Sequence, residues 1–211
     1  MCERKKEIVQ KLLKWHRENR RNFPWRNEPD PYKVLVAEFF LQKTPADRVQ
    51  MIYLDFIEEY PDPRILAESN AEQLKNKYRS LGLVKRFDWL IESMKIICEK
   101  YNRKIPNNKK ELIELPGVGE YTASAILSFA FKKRVPIVDA NVRRLYTRLF
   151  DIPNNEIENE VSTILPEENY VTYNEAILDY SALVCSNHPK CDLCFKKECN
   201  FIMRERKTLR Y

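Results

Sequence analysis

Three glycines serve the whole 211-residue chain, and two of them, Gly117 and Gly119, stand two apart behind Pro116 in LIELPGVGEYTASAILSFAFKKRVPIVDANVRR, Leu112 to Arg144. The flanking segments KKELIEL and YTASAILSFAF carry Leu, Ile, Ala and Phe at helical spacing. LPGVG therefore reads as a tight connection between two helices. Its glycines can adopt φ > 0 without a Cβ penalty, and they leave the first amides of the second helix uncovered. Such amides, with the positive end of a helix dipole behind them, suit a phosphate. Twenty residues past Gly119 stands Asp139, in VDANVRR, an acid just ahead of two arginines. A phosphate-holding turn followed by one carboxylate points to chemistry on a nucleic acid.

Scarce glycine and little period-two alternation predict an all-α fold with no internal repeat and no flexible linker. The first helix is expected over Glu3 to Arg20, with Ile8, Leu12 and Trp15 on one side. FPWRNEPDPY breaks it and a new helix starts near Tyr32; Trp25 belongs to the core, and Arg26 can reach a backbone phosphate. YKVLVAEFFLQKT is apolar nearly all round and so largely buried. Within it Glu38 is an expensive carboxylate unless it is paired or used. Further helices are expected from Ala46 to Tyr60, near Ala71 to Tyr78, from Phe87 to Tyr101, from Ala140 to Phe150 and from about Tyr170 to Cys185. The third glycine, Gly82, lies at another helix–helix junction.

Net charge is only +6, but its distribution is uneven. Met1 to Arg26 holds nine Lys/Arg against three Glu, whereas Asp151 to Glu175 holds seven acids and no Lys or Arg. The acidic stretch reads as a solvated face turned away from any polyanion, and a basic face opposite it fits DNA binding. MCERKKEIVQ lacks the apolar core of a signal peptide, and the longest apolar runs are too short to span a bilayer. The expectation is an intracellular, cytoplasmic protein without structural disulfides.

Six cysteines occur. Cys2 and Cys98 are isolated and read as plain thiols, Cys98 on a buried helix face. Cys185, Cys191, Cys194 and Cys199 fall within fifteen residues, spaced C-x5-C-x2-C-x4-C. Four thiols so close read as a metal site. Either zinc or an iron–sulfur cluster suits four thiolates, and His188 inside the loop is an alternative zinc ligand.

LPGVGEYTASAI followed by VDANVRR resembles the helix-hairpin-helix DNA glycosylases of the endonuclease III and MutY superfamily, over nearly the whole chain. Within it the resemblance is to the archaeal thymine mismatch glycosylases. It implies two helical domains with a DNA-binding cleft between them. Residues 27–135 would form a six-helix barrel carrying the hairpin at about 112–131. Residues 1–26 with 136–211 would form a second domain, carrying the cysteine loop at 185–199. It also implies a 4Fe–4S cluster on the four cysteines, although the family loop is one residue longer at each end. That cluster would be structural, holding Lys190, Lys196 and Lys197 against the DNA backbone beside the basic tail RERKTLRY.

The resemblance implies residue roles as well. AEFFLQKT follows the SEVMLQQT pattern, which puts Glu38 at the catalytic glutamate of MutY-type enzymes; the alternative is a glutamate satisfied by a neighbour. Gln42 and Lys43 stand where family members fill the gap left by an extruded base, although an exposed helix-end lysine is the plainer reading of Lys43. Leu83 matches an apolar wedge, and Leu83-Val84 departs from the Gly-Tyr-Tyr of MutY-type chains. Gly117, Val118 and Gly119 would hold phosphate.

Base excision passes through an oxocarbenium-like sugar once the nucleotide is everted. Asp139 would stabilise that cation and Glu38 would assist the leaving base. Bifunctional members carry lysine two residues after the second hairpin glycine. Tyr121 stands there instead, able to stack on the flipped nucleotide or simply to pack on the hairpin, so the implied enzyme is a monofunctional glycosylase without efficient lyase activity. Thymine or uracil opposite guanine is the favoured substrate, with adenine opposite guanine or 8-oxoguanine second. The expected partner is double-stranded DNA with a mispaired or damaged base, bound by a monomer. A non-catalytic hairpin module for DNA binding and a zinc-stabilised interaction protein remain as rivals.

Overall fold

The computed structural model describes residues 3–27, 29–196, 199 and 201. Among these the regular structure is entirely helical. The chain divides into two compact units, Asn22–Lys133 and Met1–Arg21 with Arg134–Tyr211.

Helix α1 (Glu3–Asn19) opens the second of these units. The other unit holds α2 (Pro24–Asn27), α3 (Pro31–Leu41), α4 (Ala46–Glu59), α5 (Pro63–Ala67), α6 (Ala71–Lys77), α7 (Arg86–Lys100), α8 (Lys109–Ile113) and α9 (Glu120–Phe129). The chain then returns to the first-mentioned helix's unit with α10 (Ala140–Leu149), α11 (Ile157–Ile164) and α12 (Tyr170–Leu183).

Within Asn22–Lys133 the central element is α3. Val34, Leu35, Val36, Ala37, Phe39 and Phe40 are all buried, as the uninterrupted apolar run requires. Its start is fixed by Asp30, whose Oδ1 accepts from the amides of Tyr32 (2.9 Å) and Lys33 (3.0 Å), with Pro31 supplying a helical φ at the first position. Such a cap stabilises a helix by about 1 kcal/mol. Phe40 meets Phe56 edge-on at 4.7 Å, and Tyr78 and Phe87 complete an aromatic core beneath it. Trp25 is buried, stacked on Phe23 at 4.7 Å. Arg26 lies over the same Phe23 ring.

Several local expectations needed correction. The break at FPWRNEPDPY contains the one-turn helix α2. Between the helices expected at 46–60 and 71–78 lies a further one, α5, begun at Pro63 because Asp62 caps it just as Asp30 caps α3. Cys98 is only half-buried on α7.

In the second unit α1 packs on α12 through Ile8, Val9, Leu12 and Leu13. Half-buried Trp15 meets Tyr180 edge-on at 4.9 Å. The acidic stretch 151–175 is not simply a solvated face. It contains α11, whose Ile157, Val161 and Ile164 are buried. Its acids also meet the bases of α1 and the following turn: Arg4 with Asp151 at 2.7 Å, Lys5 with Glu160, and Arg20 with Glu175 at 2.9 Å. Three of the charges that segregate along the sequence on each side therefore meet in the fold. None of the helices among the described residues is long and apolar enough to cross a membrane.

Candidate functional site

The hairpin between α8 and α9 is built for close approach. Of its two glycines only Gly117 takes a positive φ, +79°. Its missing Cβ also matters, since one placed there would lie 2.8 Å from Phe39 Cε1 and 3.0 Å from Trp89 Cβ. Gly119 is different: it is extended, with φ −94° and ψ −177°, and open space surrounds it. It occupies the cap position of α9 without a side chain, so no side chain covers the first amides of that helix. The hairpin is tied down from outside by two hydrogen bonds, Ser93 Oγ to Pro116 O (2.9 Å) and Gln42 Nε2 to Gly117 O (2.9 Å). Val118 points inward and is buried, leaving its backbone as the group available to a ligand. Gly117→Ala is expected to lower stability by about 2–3 kcal/mol, the sum of a left-handed penalty and an overpacked contact. Chemical denaturation of the two proteins measures it.

Gln42 and Lys43 follow the last turn of α3. The Gln42 amide is engaged with the hairpin carbonyl, whereas Lys43 is exposed and sits at φ +54°. Leu83 is half-buried and Val84 is the more exposed of that pair. Glu38 is buried on α3, 5% exposed, and α3 packs against α9, whose first turn carries half-buried Tyr121.

In the other unit, Asp139 is the cap of α10. Its Oδ1 accepts from Val142 N at 2.7 Å and its Oδ2 from Asn141 Nδ2 at 3.0 Å. Capping alone distinguishes nothing, because Asp30, Asp62, Asn70 and Asn108 do the same. What sets Asp139 apart is the chain of groups behind it. Asn141 Oδ1 accepts from Arg144 Nη1 (3.0 Å), and Arg144 also donates to Cys185 O (3.0 Å), Ser181 O (3.2 Å) and Asn187 Oδ1 (2.9 Å). The carboxylate is thus half-exposed, with both oxygens held by fixed donors and with its support anchored at the start of the cysteine loop. The segment leading into it is pinned by Asn174 Nδ2 on Val135 O (2.9 Å) and by buried Ile137.

Cys185, Cys191, Cys194 and Cys199 line one cavity with Arg148, Pro189 and Phe201. Donors are aimed at two of the sulfurs: Tyr180 hydroxyl at Cys194 Sγ (3.2 Å) and Arg148 Nη1 at Cys185 Sγ (3.7 Å). Burial raises the thiols of Cys185 and Cys191; Arg148 opposes it at the first, while Cys199 and Cys194 crowd the second. Among the described residues no three His, Cys, Asp or Glu side chains are arranged to hold a single metal ion. A donor set of four converging thiols with hydrogen bonds to sulfur is the kind that binds a thiolate-ligated centre.

Of the three loop lysines, Lys190 is exposed. Lys196 is not: its ammonium meets Asp151 (2.7 Å), Leu149 O (3.0 Å) and Arg148 O (3.3 Å), which closes the loop onto α10 in place of a phosphate. Lys197 and the basic tail lie outside the described residues. Sequence reasoning missed Asn141 and Arg144, although their i, i+3 spacing behind Asp139 was a usable signal.

Comparison with known proteins gives these features a family. Residues 36–167 match the family described as HhH-GPD superfamily base excision DNA repair protein. The chain belongs to that superfamily. It is 30% identical over 208 residues to the thymine/uracil-DNA glycosylase of Methanothermobacter thermautotrophicus, covering 94% of both chains. It is 35% identical over 196 residues to the adenine DNA glycosylase of Mycobacterium tuberculosis, covering 87% of this chain and spanning 64% of that protein's length. The fold superimposes on a solved thermostable thymine-DNA glycosylase with a TM-score of 0.88 at 29% identity, over 95% of this chain and 97% of the other. A non-covalent endonuclease III–DNA complex shares the fold, with a TM-score of 0.84 at 23% identity over the full length of both.

Proposed function

We propose that the chain is a monofunctional DNA glycosylase that removes thymine or uracil mispaired with guanine from double-stranded DNA. The observation that carries this reading is Asp139, half-exposed, with both carboxylate oxygens fixed by Val142 N and Asn141 Nδ2. A preorganised anion of this kind stabilises the positive charge that develops on the sugar as the N-glycosidic bond breaks. The uncovered amides at the start of α9, with the turn at Gly117, would hold the phosphate chain, and Lys43 and Leu83 would meet the space vacated by the everted base. Glu38 would hydrogen-bond or protonate the departing base from its buried place on α3.

With Tyr121 in place of an amine, no Schiff base forms there, and base release leaves an intact abasic strand. Cys185, Cys191, Cys194 and Cys199 would hold a 4Fe–4S cluster, which would supply a structural cross-link to the loop onto which Arg144 and Arg148 are hydrogen-bonded. The four thiols line one cavity, and the Tyr180 and Arg148 donors aimed at two of the sulfurs support a thiolate-ligated centre there.

Adenine removal is the second reading, supported by the 35% identity to a mycobacterial adenine glycosylase. A panel of duplexes carrying T·G, U·G, A·G and A·8-oxoguanine, treated with alkali after incubation, separates the two. The expected result is alkali-dependent cleavage at T·G and U·G. Strand breaks before alkali, or a covalent adduct trapped by borohydride, would overturn the monofunctional assignment. No abasic sites on any duplex, with DNA still bound, would leave a binding module.

A further inference from the structure

Among the described residues the largest fully buried side chain is an arginine, Arg86, the first residue of α7. A guanidinium removed from water is costly unless it is fully hydrogen-bonded, and burial lowers its pKa accordingly. Among the described residues it has no carboxylate partner, and its five hydrogen bonds go to main-chain or hydroxyl oxygens. Nη1 donates to Phe39 O (3.0 Å) and to Phe40 O, two carbonyls at the C-terminal end of α3. Nη2 donates to Thr44 Oγ1 (2.9 Å) and Leu81 O (3.4 Å), and Nε to Leu83 O (3.0 Å).

The acceptors fall into two groups. One is the end of α3 and the turn after it, which carries Gln42 and Lys43. The other is the turn from Leu81 to Leu83. Thr44 joins the groups directly, since its hydroxyl donates to Leu81 O at 2.7 Å. Lys43, between Gln42 and Thr44, is held in the left-handed region at φ +54°, a conformation a lysine keeps only where its surroundings impose it. Gln42 then carries the same frame to the hairpin through its bond to Gly117 O.

We infer that Arg86 is a positioning residue for base eversion: one guanidinium sets Gln42, Lys43 and Leu83 in register with each other and with the hairpin. This rests on the glycosylase reading above. The planar five-donor fork is what the task needs, because it spans two segments at once; a lysine ammonium has three donors at a single point. A helix C-terminus also favours a cation beside its last carbonyls.

The test compares wild type, Arg86→Lys, Leu83→Ala and the double variant in single-turnover excision. Each meets a duplex with the paired mismatch and a duplex with the same target base inside an unpaired bubble. 2-Aminopurine beside the target reports unstacking. Arg86→Lys should slow excision from the paired mismatch by about 10- to 100-fold, the usual cost of displacing positioned groups, with weaker 2-aminopurine emission. On the bubble the loss should shrink to within about threefold, since eversion is then largely complete beforehand. The double variant should lose little more than the worse single one, because the two act through one wedge.

A merely structural arginine would give equal losses on both substrates and additive effects, and that result overturns the inference. If Arg86→Lys does not fold, Thr44→Val, which removes a single link of the frame, is read by the same comparison. Wild type that releases no base from either substrate refutes the glycosylase reading instead.

Discussion

Asp139→Asn is expected to reduce base release by about a thousandfold or more while leaving DNA binding intact. The substitution is nearly isosteric, and asparagine is as good a helix cap as aspartate. Oδ1 can therefore still accept from Val142 N, the 2.7 Å bond that starts α10. What disappears is the negative charge facing the sugar, and the loss of preorganised electrostatic stabilisation accounts for an effect of that size. The second oxygen becomes an amide opposite the Asn141 amide, a mismatch confined to one hydrogen bond. Stability should change by less than about 1 kcal/mol. Single-turnover excision and binding to a T·G duplex, measured side by side, separate the two effects. Turnover within about threefold of wild type would remove Asp139 from the chemistry and leave it a cap like Asp30.

The largest loss of stability is expected at Asp179, in the middle of α12. Its carboxylate is fully buried and accepts from the Arg21 amide (3.1 Å) and Arg21 Nε (2.7 Å), with His16 Nε2 at 3.3 Å. Glu175, one turn earlier, takes Arg20 at 2.9 Å and lies 3.8 Å from the same His16 nitrogen. The end of α1 is therefore fastened to α12 by two carboxylates that hold Arg20 and Arg21, with the His16 ring close to both, beside the apolar contacts of Leu12 and Leu13. Removing the inner carboxylate takes away the acceptor of the Arg21 amide and Nε in a buried place beside His16. Asp179→Ala should cost about 3–5 kcal/mol, the usual effect of breaking a buried pair from one side. For a chain of this length that corresponds to a fall in melting temperature of roughly 6–20 °C. Glu175→Ala, whose partner Arg20 is better exposed, should cost less. Equal melting temperatures for wild type and Asp179→Ala would show that the network is not what fastens α1.

Both sites differ in how far they could be read in advance. The hairpin, Asp139 and the four cysteines were legible because each depends on local pattern: glycine between two helical periods, an acid before a helix, thiols in a short loop. Long helices such as α3 and α7 were legible from apolar spacing, with ends misplaced by one to three residues. The short helices α2 and α5 were not. Asp62-Pro63 reads as a break, yet it is a capped start, and only the burial of Leu66 distinguishes the two. The acidic stretch failed for another reason: composition showed where its charges lie in sequence but not that Asp151, Glu160 and Glu175 face Arg4, Lys5 and Arg20. Arg86 was illegible in principle. It is one of 37 Lys and Arg residues, and its partners lie as far as 47 positions upstream.

The pairing of α1 with the acidic stretch bears on how this protein responds to ionic strength. Arg4, Lys5 and Arg20 already have anionic neighbours, so their approach to a duplex would displace fewer condensed sodium or potassium ions than unpaired cations would. Cations without such neighbours contribute more to the entropy of counterion release that drives non-specific association. The dependence of affinity on salt should therefore be shallower than the basic N-terminal sequence suggests, and set instead by residues near the hairpin and the cysteine loop.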